Sequence, residues 1–358
     1  MTDEPYDTFL RRGWSPNWHL HPSPGACPLE MVLVEPRNLP NLRQVLENMS
    51  CVLPFAALTI ICSQANHDTL RSFIPLTSHV QILNSLPENL TRDEYSALLT
   101  SASFWAQFAS NKVLFFQCDS GIRYNNILQF MQYDYVGAPW PWPIYGDPRI
   151  VQGNGGFSLR TVSWMKHICA TFPFSHATYE SEDMYFAKHI LDCDDAVVAT
   201  KEVASSFSVE YIPHAHPMGF HQAWRFYDPP YVSHLLQSGL DPIHASHAIR
   251  VQDAWIQTPT QERMDVPDIV PWLQLGVGSA GFRMARGTRT PWKSDPAPGA
   301  QKTLVIVFAV GLPPKSSTPD AAPAAHAAPA APAPESSLHQ CTVKLHRGYV
   351  EQSVDIRI

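Results

Sequence analysis

The chain has 358 residues, 45% of them hydrophobic, and a formal net charge of −7 with 25 Lys+Arg. That length suffices for one large domain or two smaller ones, and the acidic balance argues against nucleic acid as a partner. The 7 cysteines are scattered without a C-x-x-C pair, which favours reduced thiols. No signal peptide and no membrane-spanning apolar run is visible, so we expect a cytoplasmic protein.

The first part of the chain alternates predicted strands with predicted helices. Residues 1–30 show no clear period and are predicted to form an irregular lead-in. Apolar runs predict strands at 31–35, 57–62 and 79–83, with helices at 39–49 and around 68–73. Such alternation predicts a mostly parallel sheet with helices on both faces.

A capping-box pattern, Thr91 to Glu94, predicts the start of the next helix. Its apolar residues recur at near-helical spacing as far as Phe108, so one helix is predicted over this stretch. The uninterrupted apolar run 113–116 then predicts a strand buried on both faces of the sheet.

Two polar side chains follow that buried strand directly. Gln117 and Asp119 are two residues apart, so on an extended segment they point the same way. Ligands of open α/β sheets bind outside the carboxyl ends of the strands. Oxygen ligands placed there can hold a divalent cation, which in turn can hold phosphates. A simple turn at Asp119 and Gly121 is the alternative interpretation.

Later motifs add glycines and acids. Residues 135–140 are predicted to form a strand, and 153–156 contain three glycines in four residues. Such glycines permit close backbone approach, although a hairpin turn would also explain them. A helix is predicted at 162–169, and residues 197–210 are strand-like at their end. Glu182 and Asp183 precede an apolar run, where a helix start alone would favour acids.

The C-terminal third has weaker patterns. Residues 236–312 are predicted to be an irregular extension, and the Ala/Pro-rich stretch 313–337 a disordered linker. Residues 338–358 are predicted to be a short β segment, which pairs with a strand at 304–310 in a small β appendix. The match to G-x-G-x-x-G at 276–281 is discounted because no strand precedes it and no clean helix follows.

Seven motifs in the middle of the chain together resemble domain-of-unknown-function family 5672, over roughly residues 31–225. They are SFWAQF (103–108), VLFFQCDS (113–120), YDYVGAPW (133–140), GNGGFSLR (153–160), SEDMYF (181–186), ASSFSVE (204–210) and PMGFH (217–221). Their order also resembles nucleotide-sugar glycosyltransferases of the GT-A fold, of the β-1,3-galactosyltransferase and fringe type. The resemblance implies a GT-A-like α/β domain over residues 31–235.

The glycosyltransferase resemblance assigns roles to individual residues. Asp119 matches the last Asp of the family's Asp-x-Asp metal motif, and His221 matches its late metal-binding His. Gln117 stands where the first Asp would be, which puts metal dependence in doubt. Asp183 is the predicted catalytic base, with Glu182 second. The residues implied for donor and acceptor binding are Arg37, Asn154, Gly155, Gly156 and Trp140.

The implied reaction moves a hexose from a nucleotide-diphosphate donor to a hydroxyl acceptor with inversion. The expected donor is a UDP-sugar, and the expected cofactor is weakly bound Mn²⁺ or Mg²⁺. The acceptor would be a glycan, a protein or a lipid. A divalent cation can stabilise charge on the leaving diphosphate, oxygen and imidazole ligands suit Mn²⁺, and a carboxylate can take the acceptor proton. The sequence thus predicts Asp119 and His221, about a hundred residues apart, at one edge of the sheet.

Two alternatives stay open. The first is a hydrolase-type metal enzyme built on His214, His216 and His221, although Pro213 and Pro217 interrupt that segment. The second is a non-catalytic carbohydrate-binding or scaffold protein of the same fold. The Gln117 departure and the tryptophans at 140, 142 and 224 would suit the second alternative.

Overall fold

The structure is a computed structural model that describes residues 4–240, 249–257, 263–266, 269–278, 281–284, 288–291, 302–310, 337–346, 349–350 and 354–357. The strands within residues 4–240 are β1 (Leu29–Val34), β2 (Ala57–Cys62), β3 (Gln81–Asn84), β4 (Lys112–Phe116), β5 (Ser120–Ile122), β6 (Tyr135–Pro139), β7 (Gln152–Thr161), β8 (Ser208–Val209) and β9 (Gly219–His221). The α-helices there are α1 (Glu4–Leu10), α2 (Leu42–Val52), α3 (Gln64–Arg71), α4 (Arg92–Leu99), α5 (Ala102–Ala106), α6 (Val162–Thr171), α7 (Glu182–His189), α8 (Lys201–Phe207) and α9 (Pro229–Gln237).

The main sheet has six strands in the order β3-β2-β1-β4-β7-β6. The first four are parallel, whereas β7 runs antiparallel to both of its neighbours. Helices connect the parallel strands, as βαβ units require. The predicted mixed α/β class, a mostly parallel sheet flanked by helices, is confirmed, and the strand predicted at 113–116 is central.

Side chains of the central strands alternate between two hydrophobic cores. Met31 and Leu33 of β1 and Leu114 of β4 enter one core, which also takes α1, α2 and α8. Val32 and Val113 enter the other, which is covered by α5, α6 and α7. Burial on both faces explains why these strands are continuous apolar runs rather than alternating ones.

A second, three-stranded sheet in the order β5-β9-β8 lies just beyond the end of β4. Strand β5 pairs antiparallel with β9, and this register sets Ser120 opposite His221. The pairing brings a late segment of the chain to the loop that carries Asp119.

The lead-in that was predicted to be irregular contains one short α-helix, α1. Tyr6, Phe9 and Leu10 are buried on one side of α1. Their i, i+3, i+4 spacing is a helical signature, but seven residues gave too short a pattern to recognise. The Tyr6 hydroxyl donates to the backbone carbonyls of Cys118 and Ser120, at 2.7 and 2.9 Å, so α1 holds the loop that follows β4.

One further prediction needs correction: the helix predicted from Thr91 to Phe108 is two helices, because Ser101 caps a new one by accepting from the Phe104 backbone N–H. The glycines at 153–156 belong to the buried ten-residue strand β7, which rules out the alternative of a hairpin turn. Residues 197–210 are extended at their end, as predicted, in β8, which follows helix α8.

The C-terminal part is more regular than predicted. A five-stranded sheet in the order β11-β10-β14-β15-β16 contains the predicted antiparallel pair, and the nine-residue β10 lies in the extension predicted to be irregular. Its strands are β10 (Ile249–Gln257), β11 (Arg263–Asp265), β14 (Lys302–Val310), β15 (Ser337–His346) and β16 (Tyr349–Val350); a separate sheet joins β12 (Val277–Gly278), β13 (Gly281–Met284) and β17 (Val354–Arg357).

The glycine match at 276–281 does not open a helix. It follows α10 (Ile269–Gln274) and supplies the antiparallel strands β12 and β13, so discounting it as a dinucleotide fingerprint was correct. Apart from Ser337, the Ala/Pro stretch 313–337 lies outside the described residues. Nowhere in the described parts of the chain is a helix both long and apolar enough to cross a bilayer.

Candidate active site

The sheet edge at the end of β4 brings Asp119 and His221 together. Asp119 Oδ1 lies 3.2 Å from His221 Nε2, although the two residues are far apart in sequence. The β5–β9 register produces this contact, and the Gln222 backbone N–H extends it by donating to the Asp119 carbonyl at 3.0 Å. The sequence predicted this juxtaposition; the metal-ligand roles stay a prediction.

His221 lies between two carboxylates. Its Nδ1 is 3.4 Å from Glu210 Oε2 and 3.2 Å from Asn154 Oδ1. Burial disfavours the imidazolium, but hydrogen bonds with Asp119 and Glu210 outweigh it and raise the pKa of His221 to about 10. Burial likewise opposes ionisation of Asp119, yet its bonds with His221 and Gln222 hold its pKa below the ordinary value.

Gln222 fixes the Asp119 carboxylate from the other side. Its side-chain amide donates to Asp119 Oδ2 at 2.5 Å, and its own backbone has φ +47°. A non-glycine residue in the left-handed region costs about 1–3 kcal/mol, and such strain clusters at functional sites. The orientation of Asp119 is therefore set by backbone pairing and by a strained neighbour.

Asp119 and His221 partly fit a divalent cation. Adjacent ligands of an octahedral ion with bonds of about 2.1 Å lie about 3 Å apart, close to the observed 3.2 Å. His221 Nε2 is buried and faces Asp119 Oδ1, so that atom could serve as a ligand once the ring is neutral and its contact with Asp119 gives way to the ion. Glu210 contacts the opposite nitrogen and does not face the same point. Within the described residues no group of three His, Cys, Asp or Glu forms a metal cluster.

The two consecutive glycines let β7 pass against the acidic helix and the histidine. A Cβ on Gly156 would lie 2.3 Å from the His221 ring, and one on Gly155 would lie 2.6 Å from Glu182 Oε1. Both distances are shorter than any tolerated carbon contact, so the tight packing needs glycine at both positions.

Asp183, at the start of α7, is half-buried, and its carboxylate is held by three donors. Its Oδ2 accepts from the Gly155 N–H at 3.0 Å. Its Oδ1 accepts from the Met184 N–H at 2.8 Å and from the Ser181 hydroxyl. The start of a helix favours a negative charge here. Asp183 is thus a fixed carboxylate with access to a cavity.

Glu182 instead forms a buried ion pair. Its Oε1 lies 3.3 Å from Nη2 of Arg160, a side chain with no exposure. The Arg160 guanidinium also lies over the rings of Tyr135, Phe115 and Phe186, 5.1–5.4 Å from their centroids. Burial, reinforced by the neighbouring charge of Asp183, raises the pKa of Glu182 to about 7. Glu182 therefore anchors α7, and the catalytic roles of Glu182 and Asp183 stay predictions.

Two cavities meet along this sheet edge and share Arg92, Tyr95 and Gln117. The larger has a volume of about 660 Å³; besides the shared residues, its polar and charged walls include Glu35, Arg37, Asn41, Asp119 and Arg225. The smaller has about 160 Å³ and is otherwise lined by Ser96, Asn154, Gly155, Gly156, Ser181, Glu182, Asp183 and His221.

The predicted binding residues divide between these cavities, with one exception. Arg37 lines the larger one, where its guanidinium pairs with Glu35 at 2.8 Å. Asn154 lines the smaller one and accepts from the Gly156 N–H. Trp140 lines neither: it is 3% exposed inside a hydrophobic core, so the structure gives its predicted binding role no support. It directly follows β6, every residue of which is buried.

The histidine-based hydrolase gains no support from the geometry. His214 exchanges hydrogen bonds with the Tyr231 hydroxyl, and its Nδ1 accepts from the His216 backbone N–H. In the described residues neither joins a group of three metal-ligating side chains.

Several site residues were not predicted from the sequence. Arg92 lies in the capping box and was treated only as part of a helix start, yet it lines both cavities. Arg225 lines the larger cavity just after Trp224. Arg225 lies shortly after the PMGFH motif (217–221), a signal that could have indicated it, whereas Arg92 adjoins none of the motifs. The others missed are Tyr95, Asn41, Glu210 and Gln222.

The fold and site together define a mixed α/β protein with a cavity at the carboxyl edge of its sheet, the position where sheets of this kind usually bind ligands. Residues 80–221 match the model of a family described as "Protein of unknown function (DUF5672)". The recognition of family 5672 from the sequence motifs is thereby confirmed for this segment. No curated protein matches the chain.

Solved structures similar to the chain include glycosyltransferase GlyE of Streptococcus pneumoniae TIGR4, at 11% identity and TM-score 0.35, with 54% of each chain covered. The apo form of the same enzyme aligns at 10% identity and TM-score 0.35 over 53% of each chain. The chain thus spans about half the length of that glycosyltransferase. A 4-diphosphocytidyl-2C-methyl-D-erythritol synthase from Anaerococcus prevotii DSM 20548 aligns at 11% identity and TM-score 0.33, over 48% of this chain and 87% of that one.

Proposed function

We propose that the chain is a glycosyltransferase that moves a hexose from a nucleotide-diphosphate donor, UDP-sugar, to a hydroxyl acceptor with inversion. One observation carries the proposal: a cavity lined by three arginines joins, through shared walls, a smaller cavity that contains a fixed carboxylate. The larger cavity would hold the donor and the smaller one the acceptor hydroxyl.

The larger cavity suits a nucleotide diphosphate by its size and by the arginines in its wall, which stand beside the carboxylates of Asp7, Glu35 and Asp119. Its volume of about 660 Å³ lies within the usual range of about 300–1,000 Å³ for small-molecule sites. Arg37 and Arg92 have side chains that are 56% and 61% exposed, and Arg225 lies on the same cavity. Guanidinium groups bind phosphate oxygens with paired hydrogen bonds, so these arginines would orient the diphosphate.

The divalent cation, Mn²⁺ or Mg²⁺, belongs to the proposal with Asp119 and His221 as its protein ligands. When bound, such an ion would supply positive charge to the departing diphosphate. Gln117 offers at most a neutral oxygen in place of a carboxylate. We therefore expect weak, exchangeable binding that depends on donor phosphates for further ligands.

Asp183 would act as the base. Its carboxylate accepts the proton of the acceptor hydroxyl while that oxygen forms a bond to the sugar's anomeric carbon. The bond from that carbon to the diphosphate breaks, and the electron pair leaves with the diphosphate. Because the proposed mechanism uses one carboxylate and one displacement, the configuration inverts. The Gly155 N–H and Ser181 hydroxyl keep the carboxylate in position.

Binding of the donor to variants that lack one of the cavity's arginines tests the proposal. UDP and a panel of UDP-hexoses should raise the melting temperature, because a ligand of the native state alone stabilises it. Arg37→Ala and Arg225→Ala should each weaken UDP binding about tenfold, since a hydrogen bond to a charged group contributes about 1.5–3 kcal/mol. Arg149→Ala is the matched control, because that arginine pairs with Asp147 outside both cavities. Failure of UDP and every UDP-hexose to bind, with or without Mn²⁺, would overturn the proposal.

A non-catalytic sugar-nucleotide binder is the second candidate, favoured by Gln117 and by the pairing of His221 with two carboxylates. Hydrolysis of the UDP-hexose separates the two functions. Saturable donor binding without any release of hexose or transfer to an acceptor would favour the binder. Release that depends on Asp183 would favour the enzyme.

A further inference from the structure

Exposed aromatic side chains are concentrated beside the smaller cavity. Among the described residues the large hydrophobic side chains with high exposure are Leu76, Trp142, Tyr145, Val197 and Phe226. Trp142 is 50% exposed and its ring centroid lies 5.3 Å from that of Tyr211. Tyr211 in turn lies 4.3 Å from Phe226, which is 41% exposed. We call Trp142, Tyr211 and Phe226 the aromatic row.

Two rings of the row adjoin residues of the site. Tyr211 follows Glu210, which contacts His221, and its hydroxyl lies within electrostatic range of Asp183 and Arg92. Phe226 follows Arg225, which lines the larger cavity. The row is thus next to the site, and none of its rings lines either cavity.

The backbone of the segment that carries Trp142 is restricted. Pro141 and Pro143 flank the tryptophan and limit the backbone on both sides. On the same segment the Tyr145 hydroxyl accepts from the Glu180 N–H at 3.1 Å, three residues before Asp183. A side chain on a restricted backbone loses less freedom when it binds a ligand.

We propose that the aromatic row is the acceptor subsite and that the acceptor is an oligosaccharide. The inference rests on the proposed glycosyltransferase function and specifies its acceptor class. The C–H face of a pyranose is apolar and packs on the electron-rich face of an aromatic ring. Sugar units beyond the reacting one would stack on Trp142, Tyr211 and Phe226, while the terminal hydroxyl reaches Asp183.

The chemistry around the row favours a sugar over a lipid chain. A lipid would need a concave aliphatic groove, whereas the row is open and its members are rings. Charged groups border it: Arg92 and Glu180, 3.5 Å apart, lie within electrostatic range of the Tyr211 hydroxyl. Ring hydroxyls of a sugar can bond to such groups while its C–H face stacks. An alkyl chain would leave them unpaired.

Binding of short oligosaccharides tests the inference. The full chain, with saturating UDP, is titrated by calorimetry and saturation-transfer NMR with tetraoses of glucose, N-acetylglucosamine, mannose, xylose and galactose. We expect at least one to bind, with Trp142→Ala and Phe226→Ala each weakening it at least about tenfold and Trp142→Tyr within about threefold of the parent. Leu76→Ala and Val197→Ala are matched controls: both remove an exposed apolar side chain elsewhere and should change nothing.

Three results would overturn the inference: no tetraose binds, binding is unaffected by both alanine substitutions, or phosphatidylcholine vesicles bind through Trp142 instead. UDP-hexose hydrolysis, measured on the same preparations, separates this failure from failure of the proposed function. Hydrolysis without tetraose binding would refute the acceptor subsite but not the enzymatic function. Tetraose binding through the row, with no UDP binding and no hydrolysis, would refute the enzymatic function and support a carbohydrate-binding surface.

Discussion

The larger and smaller cavities share Arg92, Tyr95 and Gln117, but their other walls differ in burial and in charge. The larger cavity receives its cations from side chains that are more than half exposed, such as Arg37. The smaller one is backed by Arg160 and Glu182, an ion pair with side chains 0% and 8% exposed. Solvent can screen the exposed arginines of the larger cavity far more than the buried ion pair behind the smaller one.

In the proposed mechanism, this difference means that the larger cavity attracts the anionic donor, whereas the smaller one positions the catalytic carboxylate. Exposed arginines can steer and hold an anion without precise geometry. A carboxylate that must accept a proton needs fixed geometry, and Asp183 obtains it from the Gly155 N–H and the anchored helix α7. Donor binding and turnover should therefore respond to different substitutions.

The largest effect is expected at Asp183. Asp183→Asn keeps the shape of the side chain but removes its ability to take a proton. Turnover of the UDP-hexose should fall about 10²–10⁴-fold, the contribution of a general base, while the dissociation constant for UDP stays within about twofold. Steady-state hydrolysis or transfer and calorimetric UDP binding measure the two quantities.

Asp195→Asn is the matched control for that substitution. Asp195 is an exposed carboxylate that lines neither cavity, so its loss should leave turnover nearly unchanged. If Asp183→Asn abolished UDP binding and left turnover high, the base would have to be another residue.

A second prediction concerns the buried pair behind the smaller cavity. Glu182→Leu leaves the Arg160 guanidinium buried without its carboxylate, and arginine cannot give up its proton. Breaking a buried pair in this way costs about 3–5 kcal/mol of unfolding free energy. Urea unfolding followed by far-UV circular dichroism measures it.

Two comparisons sharpen that test. Adding Arg160→Met to Glu182→Leu should restore part of the lost stability, because an apolar pair of similar volume can replace a buried ion pair. Asp147→Leu breaks the exposed pair with Arg149 and should leave the unfolding midpoint unchanged. Equal losses at Glu182 and Asp147 would contradict the distinction between the two regions.

The sequence predicted the local parts of this architecture well. Apolar runs that alternate with helical patterns predicted the four parallel strands of the main sheet. Each of these elements is encoded by a short stretch of sequence, such as 113–116. The order of the motifs correctly predicted that Asp119, His221 and Asp183 lie at one edge of the sheet. These residues directly follow or begin regular elements, and the carboxyl ends of parallel strands meet at the same edge.

Long-range packing was less predictable. The burial of Trp140 depends on the turn after β6, which no local pattern encodes. Arg92 and Arg225 reach the larger cavity only because α4 and the segment after β9 converge there. Helix α1 was missed because seven residues give barely two turns. In the extension after residue 235, β10 is defined by its partner β14 rather than by its own sequence.

The pKa of Glu182 provides the third prediction and the smallest expected effect. Burial first, and then the charge of Asp183, raise this pKa from 4.5 to about 7, against the opposing influence of Arg160. Between those two values the folded chain holds a proton that the unfolded chain has released. The folded state thus binds more protons than the unfolded state, and stability must fall as pH rises through this window.

Glu182→Gln removes the titrating proton while keeping a hydrogen-bond acceptor for Arg160, so it isolates this contribution. Urea midpoints measured from about pH 4 to about pH 8 should show the parent losing stability relative to Glu182→Gln between about pH 4.5 and 7. Above that window, where Glu182 is ionised in both states, the difference should become constant. Parallel curves across the whole range would mean that Arg160 keeps Glu182 ionised, and the smaller cavity would then be backed by a permanent ion pair.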